Sequence, residues 1–153
     1  MYALFAWFSL HPDSRNEKSA VGGALASIEP LIPRTFDRDV VGGNSWGVTW
    51  WHPPTVGSSW PLFQRSGSID VVSMGIPIGR AGVQGPAALA RSVISDGDDL
   101  ADILPPFGLM AVEGSKHVIV QQDWLGMARL FVGANDTHLV ISNRPSAVAL
   151  ALG

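Results

Sequence analysis

From Tyr2 to Leu10 the chain is almost unbrokenly apolar, the pattern of a strand covered on both faces. His11 to Lys18 turns polar and reads as a turn. Val21 to Pro33 is small and apolar, with Gly22-Gly23 at its head and Pro30 and Pro33 at its end, and it reads as a short helix. Gly42-Gly43 then leads into Asn44 to Trp51, where Trp46, Val48, Trp50 and Trp51 predict a strand from their alternation and aromatic content. Pro53-Pro54 stops it, because proline supplies no ladder donor.

Ser68 to Ile76 is rich in β-branched residues and predicts another strand. Pro86 to Ile94 reads as a helix, with Pro in the first turn, where an N–H would lack a partner anyway, followed by Ala87, Ala88, Leu89 and Ala90. Asp96 to Asp99 reads as a turn and Leu100 to Leu104 as a short helical segment. In the last third, Phe107 to Val112, Val118 to Gln122, Leu130 to Gly133 and His138 to Ser142 read as short strands. Glu113-Gly114-Ser115-Lys116 and Ala134-Asn135-Asp136 connect them as hairpin turns, and Pro145 to Leu152 turns helical. The sum is a strand-rich α+β chain with two or three helices and no internal repeat.

Composition narrows the class. At 153 residues the chain is expected to form one domain, 1–153, large enough for a substantial core. Hydrophobic residues make up 46% and charged ones 15%, the reverse of a disordered balance, and so apolar a surface suggests a face normally turned to a partner or second domain. Net charge is -3 and the 10 basic residues are scattered, so nucleic acid is not an expected partner. No apolar run is long enough for a membrane span, and the apolar opening has neither the basic flank nor the cleavage site of a signal peptide. The absence of cysteine removes disulfides, thiolate metal sites and thiol nucleophiles together; the expected location is cytoplasmic.

Asp123-Trp124-Leu125-Gly126-Met127-Ala128-Arg129-Leu130-Phe131-Val132-Gly133 resembles the Asp-x-Leu-Gly-x-x-Pro-Leu-Tyr segment of asparagine synthetase-type glutamine amidotransferase domains, with Arg129 in place of Pro. Leu139-Val140-Ile141-Ser142-Asn143-Arg144 is similar to the strand ending in that family's Ala-Ser-Glu. Pro105-Pro106-Phe107-Gly108-Leu109-Met110-Ala111-Val112 is similar to its Gly-Met-Phe-Ala-Phe strand. Val71-Val72-Ser73-Met74-Gly75-Ile76-Pro77-Ile78 sits where the family has Ala-x-Asn-Gly-Glu-Ile-Tyr-Asn. No single motif is decisive; the collinear order of the segments carries the likeness. The resemblance implies an Ntn-hydrolase-like fold, a four-layer αββα sandwich of two antiparallel sheets, with the nucleophile at the mature N-terminus.

The resemblance also implies where glutamine chemistry would sit, and there this chain departs from the family. The family's thiol at the second residue, activated by the free α-amino group, is here Tyr2, whose bulk also disfavours removal of Met1. A phenol with a pKa of about 10 is a poor substitute nucleophile. The oxyanion-stabilising Asn aligns with Met74, which donates no hydrogen bond; losing such a donor typically costs about 100- to 1000-fold in rate. Gly75 keeps its backbone N–H, and the next residue, Glu in the family, is Ile76. The carboxylate-clamping Arg falls within Trp50-Trp51-His52, where no Arg stands, and the Asp that holds the glutamine amino group aligns with Pro86. Tyr2, Trp50, Trp51, Met74, Gly75, Ile76 and Pro86 thus outline a vestigial pocket, and no catalytic residue is assigned.

Other groupings have plainer readings. His11, His52, His117 and His138 stand alone on separate segments and read as surface or hairpin residues, not metal ligands. Asp96, Asp98, Asp99 and Asp102 lack the calcium-loop order and read as a solvated helix end. Gly75, Gly79, Gly82 and Gly85 match no phosphate-binding spacing and read as a glycine-rich lead into the Pro86 helix. Trp46, Trp50, Trp51 and Trp60 read as core, although alternation sends Trp50 and Trp51 to opposite faces, leaving one to cap the emptied glutamine pocket or meet a neighbour.

The expectation is therefore an inactive glutaminase-like domain of an ATP-dependent amide-forming ligase, of the type of β-lactam synthetases and lasso-peptide cyclases. Its partner would be a C-terminal synthetase domain in cis. ATP and magnesium would belong to that domain and no cofactor to this one, since its Ser-Gly-Gly-x-Asp-Ser loop does not occur here. The low charge content leaves homodimerisation open. The alternatives are a stand-alone ligand- or protein-binding domain on the same fold and, last, an amidohydrolase with a nucleophile other than cysteine.

Overall fold

A computed structural model describes residues 3–11, 17–54, 63–75, 85–96, 100, 103, 106–114, 117–123 and 125–153, with 17–20 and 96 described in their backbone only. The chain divides into two compact units, one formed by Met1–Val56 with Leu130–Gly153 and the other by Gly57–Arg129. Each is built on one antiparallel sheet, giving an α+β chain whose described residues hold nine strands and three α-helices.

The first unit contains β1 (Ala3–Ser9), α1 (Glu17–Ile28), β2 (Asp37–Gly42), β3 (Trp46–His52), β8 (Phe131–Ala134), β9 (His138–Ser142) and α3 (Pro145–Leu152). Its sheet runs β2-β3-β1-β9-β8, so the apolar opening segment lies at the centre, with Leu4 opposite Trp50 and Ala6 opposite both Val48 and Ile141. Alternation along β1 and β3 sorts side chains cleanly between two faces. Ala3, Phe5, Trp51 and Val140 form one buried cluster with Ala24 and Ile28 of α1 and Ala147, Val148 and Ala151 of α3. The opposite face carries Leu4, Ala6, Phe8, Trp46, Val48, Trp50 and Ile141, each also buried. Fully burying side chains of this size is worth about 1.5–3 kcal/mol apiece, which is why an all-apolar strand belongs in the middle of the sheet.

The second unit contains β4 (Phe63–Ser66), β5 (Ile69–Met74), α2 (Pro86–Asp96), β6 (Gly108–Glu113) and β7 (His117–Gln122), with its sheet in that strand order. Ile69, Val71, Leu109 and Ala111 point to the face covered by Ala87, Leu89 and Ala90 of α2, with Leu100, Ile103 and Phe107 completing the cluster. Val72, Met110 and Val112 occupy the other face and are buried as well.

Several expectations need correction. Part of the polar stretch read as a turn over His11 to Lys18 is already helical, because α1 starts at Glu17 and passes through Gly22-Gly23. Each glycine costs about 1 kcal/mol relative to alanine in a helix interior, and the packing of Ala24 and Ile28 overrides that cost. β2 and β4 were not expected; both are edge strands with little buried apolar content. Of the segment expected to be helical from Leu100 to Leu104, only Leu100 and Ile103 are described, and Ile103 N–H donates to Leu100 O at 3.0 Å. Leu100 itself, at φ 52°, is not in right-handed helical backbone. Residues 97–99 of the expected aspartate turn lie outside the described residues, and Asp96 is the last residue of α2.

Candidate functional site

The residues expected to outline a pocket fall on three elements: Trp50 and Trp51 on β3 of the first unit, Met74 and Gly75 at the end of β5, and Pro86 at the start of α2 in the second. Tyr2 and Ile76 lie outside the described residues, as do Gly79, Gly82 and Trp60. Trp51 points to the helix-covered face, where it packs with Phe5, Ala24 and Ile28 and lies 5.6 Å from the Arg38 guanidinium. It is a core residue there, and a cation above its ring adds a modest attraction. Trp50 occupies the opposite face and is 6% exposed. The two neighbours therefore do different things, as strand alternation demands.

At the tip of β5, Met74 pairs in register with Gly108 and is half-buried. Its thioether donates nothing, so this position offers a ligand only dispersion contacts. Gly75 has φ +79°, and a Cβ added to it would lie 2.4 Å from the Pro106 carbonyl oxygen. Any side chain here would both strain the backbone and strike the neighbouring chain. The Met74-Gly75 corner is thus a steric necessity of this turn in its own right.

Pro86 opens α2 as its first residue, and the next N–H, that of Ala87, donates to the Gln64 side-chain oxygen at 3.0 Å. Ala88 and Leu89 N–H donate to the Gly85 carbonyl. The amino end of this helix therefore serves the chain's own carboxamide, delivered from β4. That arrangement satisfies one of the orphan donors every helix start carries.

His52, the last residue of β3, adjoins Trp50 and Trp51 and carries an ionisable imidazole. Its Nδ1–H donates to the Pro53 carbonyl at 2.8 Å and its Nε2–H to Asp39 Oδ2 at 2.8 Å. Burial works against the charged ring, but the Asp39 hydrogen bond, the Pro53 carbonyl and the charges of Asp39 and Asp37 outweigh it, raising the pKa above the ordinary 6.5. Both acceptors are served at once only by the doubly protonated ring, whose two N–H bonds are then committed. In that form it carries a positive charge within the segment where the resemblance places an arginine, but leaves no donor to clamp a carboxylate.

The expectation that the histidines are surface or hairpin residues holds for two of them and fails for two. His11 and His117 are exposed, His117 lying 3.5 Å from Glu113. His52 is buried as described, and His138 is buried with Nε2–H donating to the Ala151 carbonyl at 2.8 Å and Nδ1 bonded to Thr137 Oγ1 at 2.7 Å. His138 thereby serves a carbonyl in the last turn of α3, a group that the helix leaves without an internal partner. Among the described residues no group of three or more His, Cys, Asp or Glu could hold a metal ion. No helix among them is long and apolar enough to cross a membrane.

The Asp123 segment, which carries much of the resemblance, does structural work. Asp123 Oδ1 accepts from Met127 N–H at 3.0 Å, and Oδ2 accepts from Ala128 N–H at 2.9 Å and Phe107 N–H at 3.3 Å. The carboxylate is 2% exposed, yet these bonds and one from Leu125 outweigh the burial that opposes its charge and hold its pKa below the ordinary value. Gly126, at φ +62°, completes the turn with its N–H on the Asp123 carbonyl at 2.9 Å. Asp-x-Leu-Gly is thus a one-turn anchor in which an acid collects backbone donors and a glycine takes the left-handed position.

Reasoning from the sequence did not find Asp39, Gln64 or Asp123 as supporting groups. Asp123 had a local signal, an acid just ahead of a Leu-Gly turn, whereas the other two act across strands or between a strand and a helix. No family model matches this chain, and no curated protein matches it.

Proposed function

We propose that the chain is a degenerate class II glutamine amidotransferase domain of the asparagine-synthetase type, a structural and partner-binding part of an ATP-dependent amide-forming ligase. It does not hydrolyse glutamine. The observation that carries the reading is collinearity. The segments that resemble the family fall in family order on β5, on β6, on the turn after β7 and on β9, and the corner after β5 retains its left-handed glycine. The finer fold, a four-layer Ntn-hydrolase-like sandwich, belongs to this proposal; in its favour, α1 and α3 cover one face of the first sheet, α2 covers one face of the second, and each sheet has an apolar second face.

Loss of chemistry follows from the side chains. The resemblance aligns Met74 with the oxyanion-stabilising Asn, Trp50-Trp51-His52 with the segment of the carboxylate-clamping Arg and Pro86 with the amino-binding Asp, and the chain has no cysteine anywhere. The retained role is contact with a synthetase domain in cis, which would bring ATP and magnesium. Leu125 at 55% and Met127 at 63% exposure, on the rigid Asp123 turn, are apolar groups suited to that contact.

Two measurements test the proposal. The reading frame continued past Gly153 is expected to encode Ser-Gly-Gly-x-Asp-Ser; a stop codon directly after Gly153 refutes the ligase and leaves a stand-alone binding domain. Purified chain incubated with glutamine is expected to release no glutamate above the buffer blank, and turnover there overturns the assignment of an inactive site.

A further inference from the structure

His52 and Asp39 join two strands by more than the ladder. Asp39 lies on the edge strand β2 and its side chain is 54% exposed, whereas the His52 side chain on β3 is 7% exposed. In register, Asp37 is directly opposite His52 and Asp39 is opposite Trp50, so the imidazole reaches diagonally to the second acid. Both of its hydrogen-bond partners, the Pro53 carbonyl and the Asp39 carboxylate, only accept. A neutral imidazole has one N–H and cannot serve both; the doubly protonated ring serves both at once.

The charges around the ring favour the second proton. From β2 come Asp37 and Asp39. β3 holds no ionisable residue besides His52, and β1 holds none from Ala3 to Ser9. Arg38 points to the other face, where it pairs with Glu29 at 2.7 Å and lies over Trp51. β3 is buried along all seven residues, and β2 is what lies between its backbone edge and solvent.

We infer that the His52–Asp39 pair is a pH-operated latch on β2, closed when the imidazole carries two protons and released when it loses one. The sign follows from the raised pKa. The contribution is fully present below the ordinary 6.5 and is lost as pH rises through the higher value of the folded chain. On the alkaline side the ring keeps one acceptor and abandons the other, and the end of β2 at Asp37 and Asp39 loosens from β3. The device does not depend on the proposed function and would operate in any protein built on this sheet.

The test uses the full chain and two readouts. The ring proton signal of His52 is followed by NMR against pH in the native chain and in Asp39→Asn. Hydrogen exchange of the β2–β3 ladder, corrected for intrinsic rates, is compared at about pH 6 and pH 9, with the β1–β9 ladder as internal reference. The native His52 is expected to titrate above 6.5, and Asp39→Asn to lower it by about one unit, the low end for loss of a neighbouring opposite charge. Protection of the β2–β3 ladder is expected to fall roughly tenfold between the two pH values in the native chain only, matching one charge-assisted bond at a half-exposed partner. A native His52 titrating at or below 6.5 overturns the latch, as does a fall in protection of the same size in Asp39→Asn. If Asp39→Asn does not fold, His52→Gln takes its place in the exchange comparison, and an undiminished pH response in it is equally fatal.

Discussion

Replacing Asp123 by alanine tests the physics of the turn that follows β7 and bonds back to Phe107, just ahead of β6. The carboxylate accepts from Phe107, Met127 and Ala128, and the bonds to Phe107 and Ala128 are buried. Asp123→Ala removes the acceptor and leaves those donors facing a methyl group. A buried donor without a partner costs about 1–3 kcal/mol, so two buried ones and a partly buried third predict a loss of about 3–6 kcal/mol. The total stability of a chain of this size is about 5–15 kcal/mol, so the variant should be marginal at 37 °C. Urea unfolding followed by tryptophan emission reads the loss directly: at about 2 kcal/mol per molar, the midpoint should fall by about 1.5–3 M. Asp123→Asn retains one acceptor oxygen and should lose about half as much. The acid limb offers a check on mechanism, because a carboxylate whose folded pKa is depressed stabilises fully above its ordinary value of 3.8. That stabilisation is lost as pH falls through the lower, folded value. Asp123→Asn should therefore flatten the acid limb below about pH 4. A loss under about 1 kcal/mol for Asp123→Ala, or an unchanged acid limb for Asp123→Asn, would refute the account of the turn.

Two further substitutions probe the corners of the outlined site. Gly75→Ala combines a left-handed backbone with a Cβ 2.4 Å from the Pro106 oxygen and should destabilise by about 2–4 kcal/mol in the same urea assay; a midpoint equal to the native one refutes the clash. Gln64→Ala removes the cap on Ala87 N–H and should cost about 1 kcal/mol, visible as faster amide exchange in the first turn of α2 with little change in β6 and β7.

What could be read from the sequence depended on whether an element buries an apolar face. β1, β6, β9 and α3 are legible to within a residue or two, because each presents an apolar pattern at its own period to a core. β2 is not, since only Val41 along Asp37–Gly42 is even partly buried and its register is set by β3. β4 is four residues long, although the Gly67-Ser68 dipeptide between it and β5 is a hairpin signal that could have found it. At the candidate site, opposite destinations for Trp50 and Trp51 follow from alternation alone. The partners of His52 and Ala87 do not, because a one-dimensional pattern fixes periods and leaves open which strands become neighbours. Asp39 is 13 positions from His52 and Gln64 is 23 from Ala87.

The first sheet places β1 beside β9, so that Leu4 N–H donates to Asn143 Oδ1 across 139 positions and Ser142 Oγ–H donates to the Leu4 carbonyl. A ribosome making this chain releases β1 long before β9, the strand that must flank it. During synthesis at about 5–20 residues per second, that opening segment waits several seconds with one edge of its backbone uncovered. Assembly of this sheet is consequently governed by a long loop closure, slower than the local hairpins β4–β5 and β6–β7. Until β9 arrives, the open edge of β1 can pair wrongly with any other strand that reaches it.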